Sequence, residues 1–138
     1  MTDSDMPFFL TRGVVLLPQD ILTGNWLNMA KASRLTTIAT HVRPAEVARF
    51  MQTVQGRGFL DECRAFGIHV EHELHAVGEL LPRELFADDP SMFRMNEQGQ
   101  RTPDSNLCVH SSPALEVICR NALAVAETLR PTTGRYFF

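Results

Sequence analysis

The sequence has little of what marks several classes of protein. Its three cysteines, Cys63, Cys108 and Cys119, are odd in number and form no CxxC pair, which argues against a disulfide or zinc framework. The net charge is -3, and no run of basic residues provides the positive patch that binds nucleic acid. No apolar stretch near the start is long enough for a signal peptide or a membrane span. We therefore expect a cytoplasmic protein with no nucleic-acid or membrane partner.

Length and composition are those of one globular domain. The chain has 138 residues, of which 44% are hydrophobic and 21% are charged, close to the averages for folded proteins. A chain of this size buries a core without disulfides. We expect residues 1–12 to form a polar leader and residues 13–138 to form the domain.

Short apolar or β-branched runs bounded by turn residues predict strands at 13–18 and 35–41. A third strand is predicted at 68–75, although Val70, Leu74, Val77 and Leu81 also fit a helical spacing. The strand is preferred there because it restores an alternation of strands and helices. The final residues, 135–138, predict a fourth strand.

Helices are predicted between the strands. One begins at Asp20 and runs to Ala30, although Gly24 weakens it. A second begins at Pro44 and continues as one long helix to Gly67, with glycines that allow a kink. A third, after the N-cap Ser112, has a continuous apolar face as far as Leu129.

Residues 78–111 form a long irregular excursion with many turn residues. We predict a short helix at 84–87 and a hairpin that turns at Gly99. Excursions of this length are uncommon in compact domains unless they serve function, and this one follows the carboxyl end of a strand, where barrel enzymes build their sites.

The alternation predicts an α/β fold with about four parallel strands, because strands joined by helices form parallel crossovers. A (β/α)8 barrel has about 250 residues, so the pattern corresponds to roughly half of a TIM-like barrel, with the excursion after the third strand. An open sheet complete in itself is the alternative.

Several short sequence motifs resemble those of a family of bacterial proteins. The similar stretches are residues 72–75, 80–86, 89–95, 99–101, 106–108 and 112–113. They resemble an uncharacterised family of carbohydrate-active (β/α)-barrels, a domain of unknown function that is itself similar to glycoside hydrolases of the α-glucuronidase and β-hexosaminidase type. The resemblance covers residues 13–138.

The resemblance implies a fold and a limit on activity. In this family an aspartate-rich stretch would follow the position of Phe138. Ordinary glycoside hydrolysis needs two carboxylates, one on each side of the scissile bond. We therefore expect the N-terminal half of a barrel that contributes to a carbohydrate-binding site, needs no cofactor, and is inactive alone. The expected ligand is a saccharide, and a uronate-like sugar is one candidate.

Six residues are the candidates for that saccharide site. Carboxylate, imidazole and amide groups suit the recognition of sugar hydroxyls, and an arginine suits a sugar carboxylate. Residues at the carboxyl ends of parallel strands face the mouth of a barrel, and the excursion adds others. The candidates are His41, Glu73, His75, Arg94, Asn106 and His110.

Other interpretations compete with each of these. Arg83, Arg94 and Arg101 could bind a sugar carboxylate, or they could pair with acidic residues of the excursion. Trp26 fits core packing better than stacking on a sugar. The spacing of His69, His72 and His75 suggests a metal site only on a helix, since a strand points His72 away from the other two, and we predict no metal.

A function of another class is also open. A half-barrel leaves apolar sheet edges unpaired, and such edges favour association. The chain could therefore be a small-ligand-binding or self-associating module that forms a homodimer through these edges and has no catalytic activity.

Overall fold

The structure is a computed structural model that describes residues 8–41, 43–73, 75–104 and 106–135. The fold is of the mixed α/β class, with three strands and six α-helices in these ranges. The chain divides into two compact units. We call them the sheet unit, whose described residues lie within 8–73 and 131–135, and the excursion unit, whose described residues lie within 75–130.

A parallel sheet of three strands forms the centre of the sheet unit. The strands are β1 (Gly13–Leu16), β2 (Thr37–His41) and β3 (His69–Glu73), in the order β1-β2-β3. Both pairings are parallel, and the register places Val15 beside Ala39 and Ala39 beside Glu71. The structure therefore confirms the first three predicted strands and their parallel pairing.

Two helices follow β1 where one was predicted. They are α1 (Pro18–Thr23) and α2 (Trp26–Ala32), and the chain between them passes through Gly24. Glycine favours an interruption there because it lowers helix stability. The Trp26 side chain packs against the core, as predicted.

Two helices also follow β2, namely α3 (Pro44–Gln52) and α4 (Val54–Phe66), so the prediction of one long helix was wrong. Thr53 separates them. Its hydroxyl donates to the carbonyl of Phe50 at 2.7 Å and accepts from the amide of Gly56 at 3.0 Å, which caps α4. The close approach of α4 to the end of α3 requires glycine at position 56, because a Cβ there would lie 2.1 Å from the Phe50 carbonyl oxygen.

The core of the sheet unit lies on one face of the sheet. Leu16, Ile38 and Val70 are buried there by side chains of α2 and α4, which include Leu27 and Phe59. Side chains alternate between faces along a strand, so the row of Val15, Ala39 and Glu71 lies on the opposite face.

The segment after the last helix runs beside β3. Thr132 donates its amide to the carbonyl of Val70 at 2.9 Å and accepts the Val70 amide on its hydroxyl at 2.8 Å. The predicted fourth strand included Arg135, which is not in a strand. Its other positions, 136–138, lie outside the described residues.

The excursion unit contains short elements and one long helix. Helix α5 (Ala76–Leu80) was not predicted, and the predicted helix at 84–87 is a 3₁₀ helix, Arg83–Phe86. A second 3₁₀ helix, Pro90–Met92, follows. The predicted hairpin is present as isolated antiparallel bridges between Phe93 and Leu107 and between Met95 and Arg101, and Gly99 adopts a left-handed φ of 74° at its turn.

Helix α6 (Ser112–Thr128) confirms the strongest helix prediction. Its N-cap is Ser111 rather than Ser112, because the Ser111 hydroxyl accepts from the amide of Ala114. Ala114 is fully buried together with Leu81 and Phe93, and these three residues form the core of the excursion unit. None of the helices in the described ranges is both long and apolar enough to span a membrane.

Candidate functional site

Two predicted site residues meet at the carboxyl edge of the sheet. His41 ends β2 and Glu73 ends β3, and the register places them side by side. His41 Nδ1 lies 3.6 Å from Glu73 Oε2, and the side chains are 27% and 52% exposed, respectively. Both belong to the sheet face opposite the core, by the alternation that places Ala39 and Glu71 there. An imidazole and a carboxylate are therefore adjacent and partly exposed, and the His41 Nδ1 atom that faces Glu73 is itself buried.

A groove of about 280 Å³ lies beside this pair. It is lined by Val15, Ala39, Glu71, His72 and Glu73, and so joins one residue of β1 and one of β2 to three of β3. Val15 is 51% exposed and Ala39 is partly exposed, which gives the groove an apolar floor. Apolar surface with a few polar groups is the usual composition of a small-molecule site.

One carboxylate in the groove is already neutralised by a cation. Glu71 Oε1 accepts from Arg135 Nη2 at 3.1 Å, and the Glu71 side chain is only 13% exposed. A nearly buried carboxylate needs such a partner to offset its desolvation. From the sequence, Arg135 was predicted only as the first residue of the fourth strand. The sequence pattern gave one indication of the Glu71–Arg135 contact, namely the alternation that places Glu71 and Glu73 on the same face of β3.

A second polar pair lies on the core face of the same two strands. Thr40 is fully buried, and its hydroxyl lies 2.7 Å from Nδ1 of His72. Burial lowers the pKa of His72 from 6.5 to about 4, so the imidazole is neutral at pH 7. A neutral ring offers one donor and one acceptor nitrogen, and one of them is used by Thr40. His72 was considered only as a possible metal ligand, and the contact with Thr40 was missed because it depends on the register between β2 and β3.

The histidine spacing does not produce a metal site in the described residues. His69 is at the amino end of β3, His72 lies on its core face and His75 follows the strand. No group of three or more metal-ligating side chains is found in the ranges that the structure describes.

Arg94 and Asn106 are neighbours in the excursion unit. The Arg94 amide donates to the Asn106 carbonyl at 3.2 Å, and Asn106 is exposed. The Arg94 guanidinium forms a fork on Asp104, with Nε donating to Oδ1 at 2.7 Å and Nη2 donating to Oδ2. Hydrogen bonds from Arg94 and from Thr102 lower the pKa of Asp104 to about 2. Arg94 is thus engaged by a carboxylate of its own unit.

The other two arginines of the excursion bind backbone carbonyls. Arg83 donates to the carbonyl of Leu81 through Nε at 2.9 Å and Nη2 at 2.6 Å, and its guanidinium lies 5.0 Å from the ring centroid of Phe93. Arg101 Nη1 donates to the carbonyl of Phe93 at 2.6 Å. All three arginines therefore connect parts of the excursion.

Cys108 lies where the excursion approaches α6. Hydrogen bonds from the Arg101 side chain and from the backbone of His110 lower the pKa of its thiol. His110 itself is exposed in the turn before α6, and His75 is exposed immediately before α5. Both histidines thus belong to the excursion unit, whereas His41 and Glu73 belong to the sheet unit.

No family model matches the chain, and neither the curated proteins nor the solved structures contain a match to it. The function is therefore argued from the chemistry of the site, since a fold alone does not fix an activity.

Proposed function

We propose that this chain binds a saccharide at the His41–Glu73 pair, as the N-terminal part of a glycoside-hydrolase-like barrel. The observation that carries the proposal is the adjacent placement of an imidazole and a carboxylate at the carboxyl ends of two parallel strands, beside a groove with an apolar floor. In barrel enzymes this edge of the sheet is where substrates bind.

The groove offers the contacts that a sugar ring needs. The Glu73 carboxylate accepts hydrogen bonds from hydroxyl groups, and the His41 imidazole either donates or accepts them. The C–H face of the ring would lie on the Val15 and Ala39 side chains, which form the apolar floor. Arg135 satisfies Glu71, so Glu73 is the carboxylate left to the ligand.

Strand order supports the barrel. The order β1-β2-β3 is sequential, as in a (β/α)8 barrel, whereas doubly wound sheets place the first strand between others. Core helices α2 and α4 pack on one face of the sheet, and doubly wound folds cover both. Thr132 brings the chain back along β3, where a fourth strand would lie.

Binding without turnover is the expected behaviour. Hydrolysis by the usual route requires an acid and a second carboxylate on opposite sides of the glycosidic bond, about 5 Å or more apart. Glu71 and Glu73 share one strand and one face, so they cannot flank a sugar in that way. His41 and Glu73 therefore serve recognition.

Titration with a panel of neutral and uronic-acid oligosaccharides, followed by NMR, tests the proposal. Glu73→Gln should weaken binding about tenfold or more, because a charge-assisted hydrogen bond is lost, and His41→Ala should weaken it because the imidazole contact is lost. Glu46→Gln, an exposed change on α3, should leave binding unchanged. Absence of any saccharide binding by the wild-type chain, or equal losses in all three variants, would reject the site.

A uronate-like ligand is tested with the same panel of oligosaccharides. Tighter binding of the uronic-acid members than of the neutral ones by the wild-type chain would support it, and equal affinities would reject it.

Self-association is the second candidate, and the edges of the sheet favour it. Val70 of β3 is bonded to Thr132, whereas β1 is the other edge strand and pairs only with β2 among the described residues. An edge without lysine, proline or a bulge invites pairing with a second chain. A dimer in sedimentation velocity that becomes a monomer in Val15→Lys supports this candidate, and a monomer at all concentrations excludes it.

A further inference from the structure

A second and larger groove lies on the helical side of the sheet unit. It has a volume of about 550 Å³ and runs between α4 and the region of α1 and α2. Trp26, Phe59 and Phe66 contribute aromatic rings to it, and of the described residues that line it Glu62 alone is charged. Neither His41 nor Glu73 lines this groove, so a ligand here would not depend on saccharide binding at that pair.

The aromatic wall of this groove is held in place. Trp26 Nε1 donates to the carbonyl of Asp20 at 2.8 Å, which fixes the indole. The ring lies so close to Gly24 that a Cβ there would be 2.3 Å from Nε1. A fixed aromatic ring binds a ligand at low cost in conformational entropy.

The charge of the groove selects the ligand. Glu62 is exposed, and it makes no ion pair with another residue in the part of the chain that the structure describes. Aromatic faces attract cations, and Phe66 already has the ammonium of Lys31 at 5.1 Å from its ring centroid. A carboxylate beside aromatic rings is the arrangement that binds an organic ammonium group.

We propose that this groove binds a small amphipathic cation, in which a primary ammonium group is attached to an aromatic or alkyl body. The ammonium contacts the Glu62 carboxylate, and the apolar body lies against Trp26 and Phe59. A neutral analogue loses the charge interaction, and an anion is repelled by Glu62.

Gly58 provides the space for the apolar body. It lines the groove, and a Cβ built on it meets no atom within 4 Å. A larger side chain is therefore accommodated at this wall of the groove. We expect Gly58→Leu to occupy part of the groove and so to block the site, while the preference of leucine for helices maintains α4.

Fluorescence of Trp26, the one tryptophan of the chain, gives a direct measurement. The probe is phenethylammonium, with 2-phenylethanol as the neutral analogue and phenylacetate as the anion. We expect saturable quenching by the cation, about fivefold weaker binding of the alcohol, and no binding of the anion. No saturation with the cation, or equal affinity for cation and alcohol, would overturn the proposal.

Three variants separate the site from general effects. Glu62→Gln should weaken phenethylammonium binding about fivefold, and Asp61→Asn, an exposed neighbour that pairs with Arg64, should not. Gly58→Leu should abolish binding while the circular dichroism spectrum stays unchanged. Wild-type affinity in Glu62→Gln, or in folded Gly58→Leu, would contradict the site.

Discussion

The sheet unit and the excursion unit are stabilised by different means. In the sheet unit, aliphatic side chains such as Ile38 and Val70 are buried between strands and helices. In the excursion unit the fully buried core is small, with Leu81, Phe93 and Ala114, and arginines connect the loops through backbone carbonyls and Asp104. One unit depends mainly on apolar burial and the other depends also on charged hydrogen bonds.

This difference shows what a charged residue does in each setting. Strands satisfy their own backbone groups within the sheet, and the polar side chains that end two of them, His41 and Glu73, lie beside each other. Irregular segments leave carbonyls without partners, and arginine supplies several donors in a fixed geometry. Arg83 and Arg101 take that role. An arginine in a long loop is therefore first a candidate for internal structure.

The largest expected effect is at the centre of the excursion unit. Phe93 is fully buried, packs edge-on against Phe86 and lies under the Arg83 guanidinium. Phe93→Ala should lower the free energy of unfolding by about 3–5 kcal/mol, measured by urea denaturation. Met95→Ala, at a half-exposed position two residues away, is the control and should change it little. A small loss in Phe93→Ala would mean that the arginines alone hold the excursion.

A pH-dependent effect is expected in the sheet unit. The pKa of His72 is lowered from 6.5 to about 4, so the unfolded chain binds more protons between these values. The His72 contribution is therefore complete above pH 6.5 and is lost as the pH falls toward 4, by up to about 3 kcal/mol. His72→Gln should flatten this dependence in urea titrations at several pH values. An unchanged slope in the variant would assign the dependence to other groups.

The smallest effect concerns the arginines. Arg83→Lys removes the two-nitrogen contact with the Leu81 carbonyl and should lower the free energy of unfolding by about 1 kcal/mol. Arg94→Lys, which alters an exposed pair with Asp104, should have no measurable effect. If Arg94→Lys proved the more damaging change, the surface fork rather than the carbonyl contact would be the main connection in the excursion.

Much of the sheet unit was predictable because its pattern is local. An apolar run predicted β1, β-branched residues predicted β2, and the alternation of strands and helices favoured β3; parallel register then brought His41 beside Glu73. The ends of elements were less predictable. His75 was placed on β3, which ends at Glu73, and the long helix after Pro44 is divided at Thr53 by a capping hydroxyl. Such ends depend on single hydrogen bonds rather than on periodicity.

The excursion was harder to predict because its contacts join residues that no periodicity relates. Arg94 and Asp104 are ten positions apart, and Arg83 reaches carbonyls about twenty positions away. The sequence singled out three arginines of the excursion and left two roles open for them, namely binding of a sugar carboxylate and pairing with acidic residues of the excursion. The Thr40–His72 and Glu71–Arg135 contacts were missed for a similar reason, since each requires knowledge of which segments are neighbours.

The contact between Thr132 and Val70 has a consequence for the order of folding. The two residues are 62 positions apart, so β3 is made long before its partner. At ribosomal rates of about 5–20 residues per second, the interval is roughly 3–12 s. During that time the backbone groups of Val70 on this edge of the nascent sheet lack their final partner, and closing so long a loop is entropically costly. Protection of the Val70 amide from hydrogen exchange should therefore be among the last to appear during refolding.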